Sequence, residues 1–169
     1  MNHDTQALKN AMTCFATGVT VITTHYQGQD WGMTCNSFNT VSLDPAMVLW
    51  SIRKTSSSHQ AFMQSGGYTV SILAADQLDV AMHFTRGTQA ERFNGFELIR
   101  LSNQRPRIAG AVGWFDCSLD TTVSAGDHDI LIGKVLNFGM QERPGPDALI
   151  YAQRQFGSLR VLEEVLLNA

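Results

Sequence analysis

The sequence predicts a mainly β protein with short helices, organised as a closed or nearly closed antiparallel barrel. Residues 19–24 form a β-branched run that is typical of a strand. Residues 111–124 and 130–139 are two long β-rich runs separated by a glycine-containing turn, which predicts a large antiparallel hairpin. The strands and short helices do not alternate regularly enough for a doubly wound parallel sheet.

Composition favours a single domain over residues 1–169, with 44% hydrophobic and 16% charged residues for one sizeable core. The net charge of −3 provides no broad basic surface, so we expect no nucleic-acid partner. Three widely spaced cysteines and five scattered histidines predict neither disulfides nor a metal site. A polar amino terminus and the lack of a long apolar run predict no export signal and no membrane partner, hence a cytoplasmic protein.

The chain opens with a predicted helix and a predicted hairpin. Apolar residues recur at helical spacing over residues 8–15, where Asp4 is the expected N-cap and Gly18 lies just past the end. The strand over residues 19–24 is followed by a turn and by a partner strand over residues 31–37. These elements form the first half of the expected sheet.

A third strand is predicted over residues 47–52, an apolar run too short for a typical buried helix. Residues 56–58 are three serines that offer N-caps to a short helix. The glycine pair at residues 66–67 ends this helix before a strand over residues 68–73. Strand, helix and strand thus follow one another closely.

Asp76 is the expected cap of a further helix that carries Leu78, Ala81 and Met82 towards the core. Residues 85–106 are polar and only weakly periodic. We therefore expect a long surface segment there, of the kind that often holds functional contacts.

Several common catalytic and nucleotide-binding motifs are absent from the sequence. Neither glycine-rich phosphate motif, GxGxxG or GxxxxGK[ST], occurs, so a nucleotide has to bind by another route. The GxSxG motif of hydrolases is also missing.

Two polar stretches follow predicted strands. Thr34, Asn36 and Ser37 place amide, hydroxyl and backbone groups together, which suits a planar heterocycle with donors and acceptors on its edge. Residues 51–58 concentrate cations and hydroxyls at a strand-to-helix junction, which favours an anion such as a phosphate. The same residue types also start turns and cap helices, so both interpretations stay open.

His128 lies between Asp127 and Asp129 in the turn of the large hairpin. The neighbouring carboxylates favour its charged form, so His128 is a candidate for hydrogen bonding or proton handling. A solvated turn histidine is the alternative.

Taken together, the sequence resembles the flavin reductase family with an FMN-binding split barrel, the small reductase components of two-component flavin monooxygenases. Five ordered motifs carry the resemblance, and they lie at residues 15–24, 32–38, 41–45, 91–93 and 125–128. The resemblance implies an antiparallel split β-barrel and a homodimer that binds FMN or FAD in a groove near the subunit interface. It covers most of the chain.

The resemblance also implies roles for individual residues. The flavin edge would be held by Gly32, Met33, Thr34, Cys35, Asn36 and Ser37. The flavin phosphate would lie near Ser51, Lys54, Ser56 and Ser57, with Arg92 also close to the flavin. His128, together with Asp127, would lie beside the nicotinamide. Two positions depart from the family pattern, because Glu91 replaces an aspartate and Cys35 replaces an alanine.

The activity implied is that of an NAD(P)H:flavin oxidoreductase, which uses NADH or NADPH to reduce FMN or FAD by hydride transfer. Reduced flavin would then serve a partner oxygenase. A flavin-binding or haem-binding split-barrel carrier without turnover is the alternative. A third hypothesis, an oxidase of the pyridoxamine-phosphate type, requires a cationic cluster that Arg53, Lys54 and Arg105 do not clearly supply.

Overall fold

A computed structural model of the protein describes residues 4–142 and 145–160. The helices are α1 (Thr5–Met12), α2 (His59–Gln64), α3 (Leu78–His83) and α4 (Gln89–Arg92). The strands are β1 (Thr17–Gly18), β2 (Thr20–Tyr26), β3 (Gln29–Cys35), β4 (Asn39–Leu43), β5 (Ala46–Arg53), β6 (Gly67–Ile72), β7 (Leu98–Arg100), β8 (Pro106–Ile108), β9 (Gly113–Ala125), β10 (His128–Met140), β11 (Ile150–Ala152) and β12 (Gln155–Gly157). Within the described ranges, no helix is long and apolar enough to cross a membrane.

A seven-stranded antiparallel sheet forms the body of the protein, in the order β3-β2-β6-β9-β10-β5-β4. The sheet curves, but its two edge strands, β3 and β4, are not joined to each other by a ladder of backbone hydrogen bonds. Instead, the Ser37 hydroxyl beyond β3 accepts a hydrogen bond from the backbone N–H of Ser51 on β5 (3.0 Å) and donates to its carbonyl oxygen (3.2 Å). This architecture confirms the prediction of a mainly β, split-barrel fold.

Two hydrophobic clusters lie on opposite faces of β2. Because successive side chains of a strand point to opposite faces, Ile22 belongs to the cluster inside the barrel and Val21 to the cluster outside it. Inside, the fully buried Trp50 ring contacts Phe62 and Tyr68 edge to face, at centroid distances of 4.9 and 5.7 Å. These aromatic contacts fix α2 against the barrel.

Both predicted hairpins are confirmed. Strands β2 and β3 pair through a two-residue turn in which Gln27 and Gly28 both have positive φ, as a tight hairpin turn requires. Strands β9 and β10 pair over most of their length, and Gly126, with φ of +59°, opens the turn between them. The positive φ explains why glycine stands at this position.

The helices differ from the predictions at their ends. Asp4 caps α1 as expected, but the helix ends at Met12, and Gly18 lies in β1. Helix α3 begins after Gln77 rather than Asp76. Because α3 is short, it buries only one narrow face, which carries Val80 and Ala81. Leu78 and Met82, which were predicted to face the core, are 41% and 37% exposed.

The segment over residues 85–106 is more ordered than the sequence predicts. It contains α4 and β7, and it buries the polar side chains of Gln89 and Arg105. The Arg105 guanidinium donates to the buried carboxylate of Asp116 (2.8 Å), which makes its burial tolerable. Polar residues whose partners lie far away in the sequence give no hydrophobic periodicity, so these elements leave no local pattern in the sequence.

Candidate functional site

The end of β3 presents its side chains in alternation. Met33 packs against the barrel core, and Cys35 belongs to that core with 7% exposure. Thr34 points the other way and donates from its hydroxyl to the carbonyl oxygen of Ala81 at the end of α3 (2.6 Å). Asn36 follows the strand and is exposed, so it is the first side chain of this segment that is free to meet a ligand.

Cys35 faces inward and behaves as a small hydrophobic side chain. Burial raises the pKa of its thiol, although hydrogen bonds from Ser37 oppose the shift. The sulfur lies 3.0 Å from the Ser37 hydroxyl oxygen, which in turn bonds to the backbone of Ser51. Cys35 therefore supports the conformation of Ser37 and, as a neutral thiol, is a poor nucleophile.

Gly32 is enclosed on both sides. A Cβ atom at this position would lie 2.8 Å from the Phe84 ring and 2.9 Å from the Phe93 ring. Its backbone N–H donates to the side-chain carbonyl of Gln89 (2.9 Å), and its carbonyl oxygen accepts from the Arg92 guanidinium (2.8 Å). Arg92 thus reaches the predicted flavin-edge segment through the backbone of Gly32.

The predicted phosphate segment surrounds the start of α2. Ser51 lies on β5, Ser56 is half-buried in the following turn, and Ser57 is exposed. The Lys54 ammonium donates to the Ser124 hydroxyl (2.7 Å) and to the carbonyl oxygen of Gly126 (2.8 Å). Lys54 therefore joins this segment to the β9–β10 turn.

His128 begins β10, where it pairs in register with Arg53 of β5. Its Nδ1 lies 2.7 Å from a carboxylate oxygen of Asp127, and the His128 contact holds the pKa of Asp127 below its ordinary value. Within the part of the chain that the structure describes, Nε2 makes no hydrogen bond. The ring thus offers one nitrogen to a ligand while the other is held by its neighbour.

Hydrogen bonds connect these segments into one neighbourhood. The bond between Ser37 and Ser51 joins the end of β3 to β5, and the bond between Lys54 and Gly126 joins the α2 turn to the segment that carries His128. Cavities of about 400 and 320 Å³ both reach Asn36. The larger is also lined by Thr34, Cys35, Met82, Tyr151 and Arg154.

Two residues that organise the site, Gln89 and His59, are not among the residues predicted from the sequence. Gln89 bonds to Gly32, and His59 donates from Nε2 to the buried carboxylate of Asp129 (2.7 Å). The hydrogen bond from His59 lowers the pKa of Asp129 despite its burial. Gln89 lies three residues before Arg92, a helical spacing that could have indicated a shared target.

Comparison with known proteins decides the family. Residues 12–160 match the sequence model described as the flavin reductase like domain. The chain belongs to the flavin reductase-like domain family.

Relatives of this flavin reductase-like chain include reductases of different lengths. It is 46% identical over 132 residues to the reductase component of a flavin-dependent trigonelline monooxygenase from Acinetobacter baylyi, covering 78% of this chain but only 42% of that protein. It is 38% identical over 154 residues to the FMN reductase (NADH) SmoA of Agrobacterium fabrum, covering 91% of this chain and 86% of the relative.

A solved structure supports the same assignment. The NADH:FAD oxidoreductase of Streptomyces globisporus, in complex with NAD and FAD fragments, aligns with a TM-score of 0.87 and 30% identity. The alignment covers 93% of each chain. The resemblance to flavin reductases is therefore confirmed in both sequence and fold.

Proposed function

We propose that this chain is an NAD(P)H:flavin oxidoreductase that reduces FMN or FAD with NADH or NADPH and delivers reduced flavin to a separate oxygenase. The observation that carries the proposal is the hydrogen-bonded connection of three segments, at residues 32–37, 51–57 and 126–128. Family membership and the reductases among its relatives support the activity.

The groups present in these segments fit a flavin. Asn36 offers an exposed amide for the edge of a heterocycle, and Ser56 and Ser57 offer hydroxyls beside the start of α2 for a phosphate. Lys54 adds positive charge at the same turn, although its ammonium is already shared with Ser124 and Gly126. We therefore propose that Lys54 stabilises the turn and that its positive charge lowers the free energy of an anion bound nearby.

His128 is the proposed contact of the nicotinamide. The flavin supplies the redox chemistry when it is bound, by accepting a hydride from the reduced nicotinamide. Held through Nδ1 by Asp127, the His128 ring is oriented so that Nε2 can contact the nucleotide. Its role is to position the nucleotide, because hydride transfer needs close and aligned reactants rather than a base.

We further propose that the protein is a homodimer in the cytoplasm, and that residues 1–169 form one domain. Exposed apolar side chains on β4 and β10 support a second copy as partner: Val41, Leu43, Leu136, Phe138 and Met140. Relatives that are reductase components of monooxygenase systems support an oxygenase as the acceptor of reduced flavin.

Anaerobic stopped-flow reduction tests the activity. The purified chain is mixed with FMN, FAD or riboflavin and then with NADH or NADPH, and flavin bleaching is followed by absorbance. We expect rapid bleaching that depends on the protein. Bound flavin that stays oxidised would favour a carrier, and the absence of both binding and bleaching would contradict the proposal altogether.

A further inference from the structure

Gln89 is a buried polar side chain that joins two distant parts of the chain. It opens α4 and is only 8% exposed. Its Oε1 accepts from the backbone N–H of Gly32 (2.9 Å), and its Nε2 donates to the Ser58 hydroxyl oxygen (2.8 Å), which is itself buried. One carboxamide therefore spans from β3 to the N-cap of α2.

The two parts that Gln89 joins are those assigned to opposite ends of one ligand. Gly32 begins the flavin-edge segment, and Ser58 directly follows the phosphate residues Ser56 and Ser57. A backbone N–H of Ser58 also donates to the Ser56 hydroxyl oxygen (3.3 Å), so the position of Ser58 is coupled to that of Ser56. A change in the distance between Gly32 and Ser58 would thus move the ring contacts relative to the phosphate contacts.

The backbone of Gly32 has little freedom to move. Arg92, three residues after Gln89 and on the same face of α4, donates to the Gly32 carbonyl oxygen (2.8 Å). Phe84 and Phe93 leave no room even for a Cβ atom at Gly32. Because Gly32 is fixed in this way, the two hydrogen bonds of the Gln89 carboxamide set the distance between Gly32 and the start of α2.

We propose that Gln89 is a positioning residue for flavin binding, which sets the spacing between the flavin-edge segment and the phosphate segment. The inference rests on the proposed function. Gln89 acts through Gly32 and Ser58, and it holds the unliganded site in the geometry that the ligand needs, so that less ordering is required on binding.

The chain contains a matched control for this bridge. Gln77 also uses both ends of its carboxamide, accepting from the Ala74 N–H (3.0 Å) and donating to the Ala109 carbonyl oxygen (2.7 Å). Neither of these partners belongs to the proposed flavin segments. Gln77→Leu therefore removes a similar pair of hydrogen bonds, from a half-buried carboxamide, and leaves the bridge between Gly32 and Ser58 in place.

The experiment compares Gln89→Leu, Gln77→Leu, Ser58→Ala and the double variant Gln89→Leu/Ser58→Ala by flavin fluorescence titration, and by nucleotide KM at saturating flavin. We expect Gln89→Leu to raise the FMN or FAD Kd about tenfold, as the loss of one net hydrogen bond to the binding geometry predicts, with the nucleotide KM unchanged. Gln77→Leu should change the flavin Kd less than about twofold. The Kd effects of Gln89→Leu and Ser58→Ala should be non-additive, because both break one bridge.

Equal flavin Kd values for Gln89→Leu and Gln77→Leu would overturn the inference, and so would fully additive effects of Gln89→Leu and Ser58→Ala. If Gln89→Leu does not fold, Ser58→Ala alone decides, since it removes one end of the bridge and is expected to weaken flavin binding in the same direction. A wild-type chain that binds no flavin would contradict the proposed function itself, whereas wild-type binding with unaffected variants would overturn only the role of Gln89.

Discussion

At the scale of single residues, His128 is the proposed nucleotide contact, and such a contact would distinguish a reductase from a protein that only binds flavin. Its imidazole is held by Asp127 at the start of β10, and the side chain is 36% exposed. A ring that is both oriented and accessible suits a contact with a transient co-substrate. The proposed flavin segments lie on other elements, and the hydrogen bond of the His128 side chain is to Asp127 rather than to them.

We expect His128→Ala to raise the KM for the nucleotide about tenfold or to lower turnover, and to leave the flavin Kd nearly unchanged. Steady-state kinetics with NADH and NADPH and a flavin titration measure both quantities. His25→Ala is the control, because His25 lies on β2 and contacts Asp30 of β3 rather than a residue of the β9–β10 turn. An equal loss of flavin affinity in His128→Ala would remove His128 from the nicotinamide role.

Gly32 carries a second prediction at this scale. A methyl group there would overlap the Phe84 and Phe93 rings, and Phe84 is fully buried, so its ring cannot move freely. We expect Gly32→Ala to lower the free energy of unfolding by about 1–3 kcal/mol, the usual cost of overpacking. Urea unfolding measures this loss.

Gly18→Ala is the matched control, because nothing lies within 4 Å of a Cβ atom at Gly18. We expect its stability to match that of the wild type within about 0.5 kcal/mol. Similar losses in the two variants would show that the Phe84 and Phe93 contacts are not responsible.

At the scale of elements, an ion pair joins the β2–β3 hairpin to β7. The Arg100 guanidinium donates to Asp30 (2.8 Å), and His25 Nδ1 lies 2.7 Å from the same carboxylate oxygen. Burial by itself raises the pKa of Asp30, but the hydrogen bonds from Arg100 and His25 outweigh it and hold the pKa below its ordinary value. The ionised carboxylate therefore stabilises the folded state.

The pH dependence of this contribution has a definite sign. Because the folded-state pKa is lowered, the stabilisation is fully present above the unfolded pKa of about 3.9 and is lost as the pH falls through the folded value. We expect the stability difference between wild type and Asp30→Asn, measured by urea unfolding, to shrink from pH 5.5 to pH 3. Asp44→Asn, on an exposed turn residue, is the control; a difference for Asp30→Asn that does not vary with pH would contradict the argument.

The elements also show what the sequence could predict. The β-branched run of β2 and the glycine turns fix local structure, so both hairpins were predicted correctly. Strand β4 has almost no buried side chain, so it lacks the alternation that indicates a strand. The proposed flavin segments stand out as motifs, but the partners of Lys54 and Gln89 come from distant elements, which local patterns do not encode.

At the scale of the whole molecule, β4 and β10 carry an exposed apolar surface. Leu43 is 96% exposed and Phe138 is 70% exposed, and both line a cavity of about 440 Å³ with Val41 and Val135. Large apolar side chains gathered in this way are typical of an interface between proteins. They support the proposed homodimer.

We expect Phe138→Asp to shift the chain from dimer towards monomer, because a charge would have to be buried in the interface. Sedimentation equilibrium measures the change, with Ile99→Asp on β7 as a control for an added surface charge. A wild-type chain that sediments as a monomer, or a Phe138→Asp variant that remains fully dimeric, would contradict this interface.

The hydrogen bonds from α4 to Gly32 also have a consequence for the edge of the sheet. Strand β3 is one edge of the seven-stranded sheet, and exposed edges invite another strand to add on. Gln89 and Arg92 occupy both backbone groups of Gly32, and the Phe84 carbonyl oxygen accepts from the Thr34 N–H two residues later (3.4 Å). These contacts occupy backbone groups of Gly32 and Thr34, so this part of the edge is unavailable to a strand from another chain.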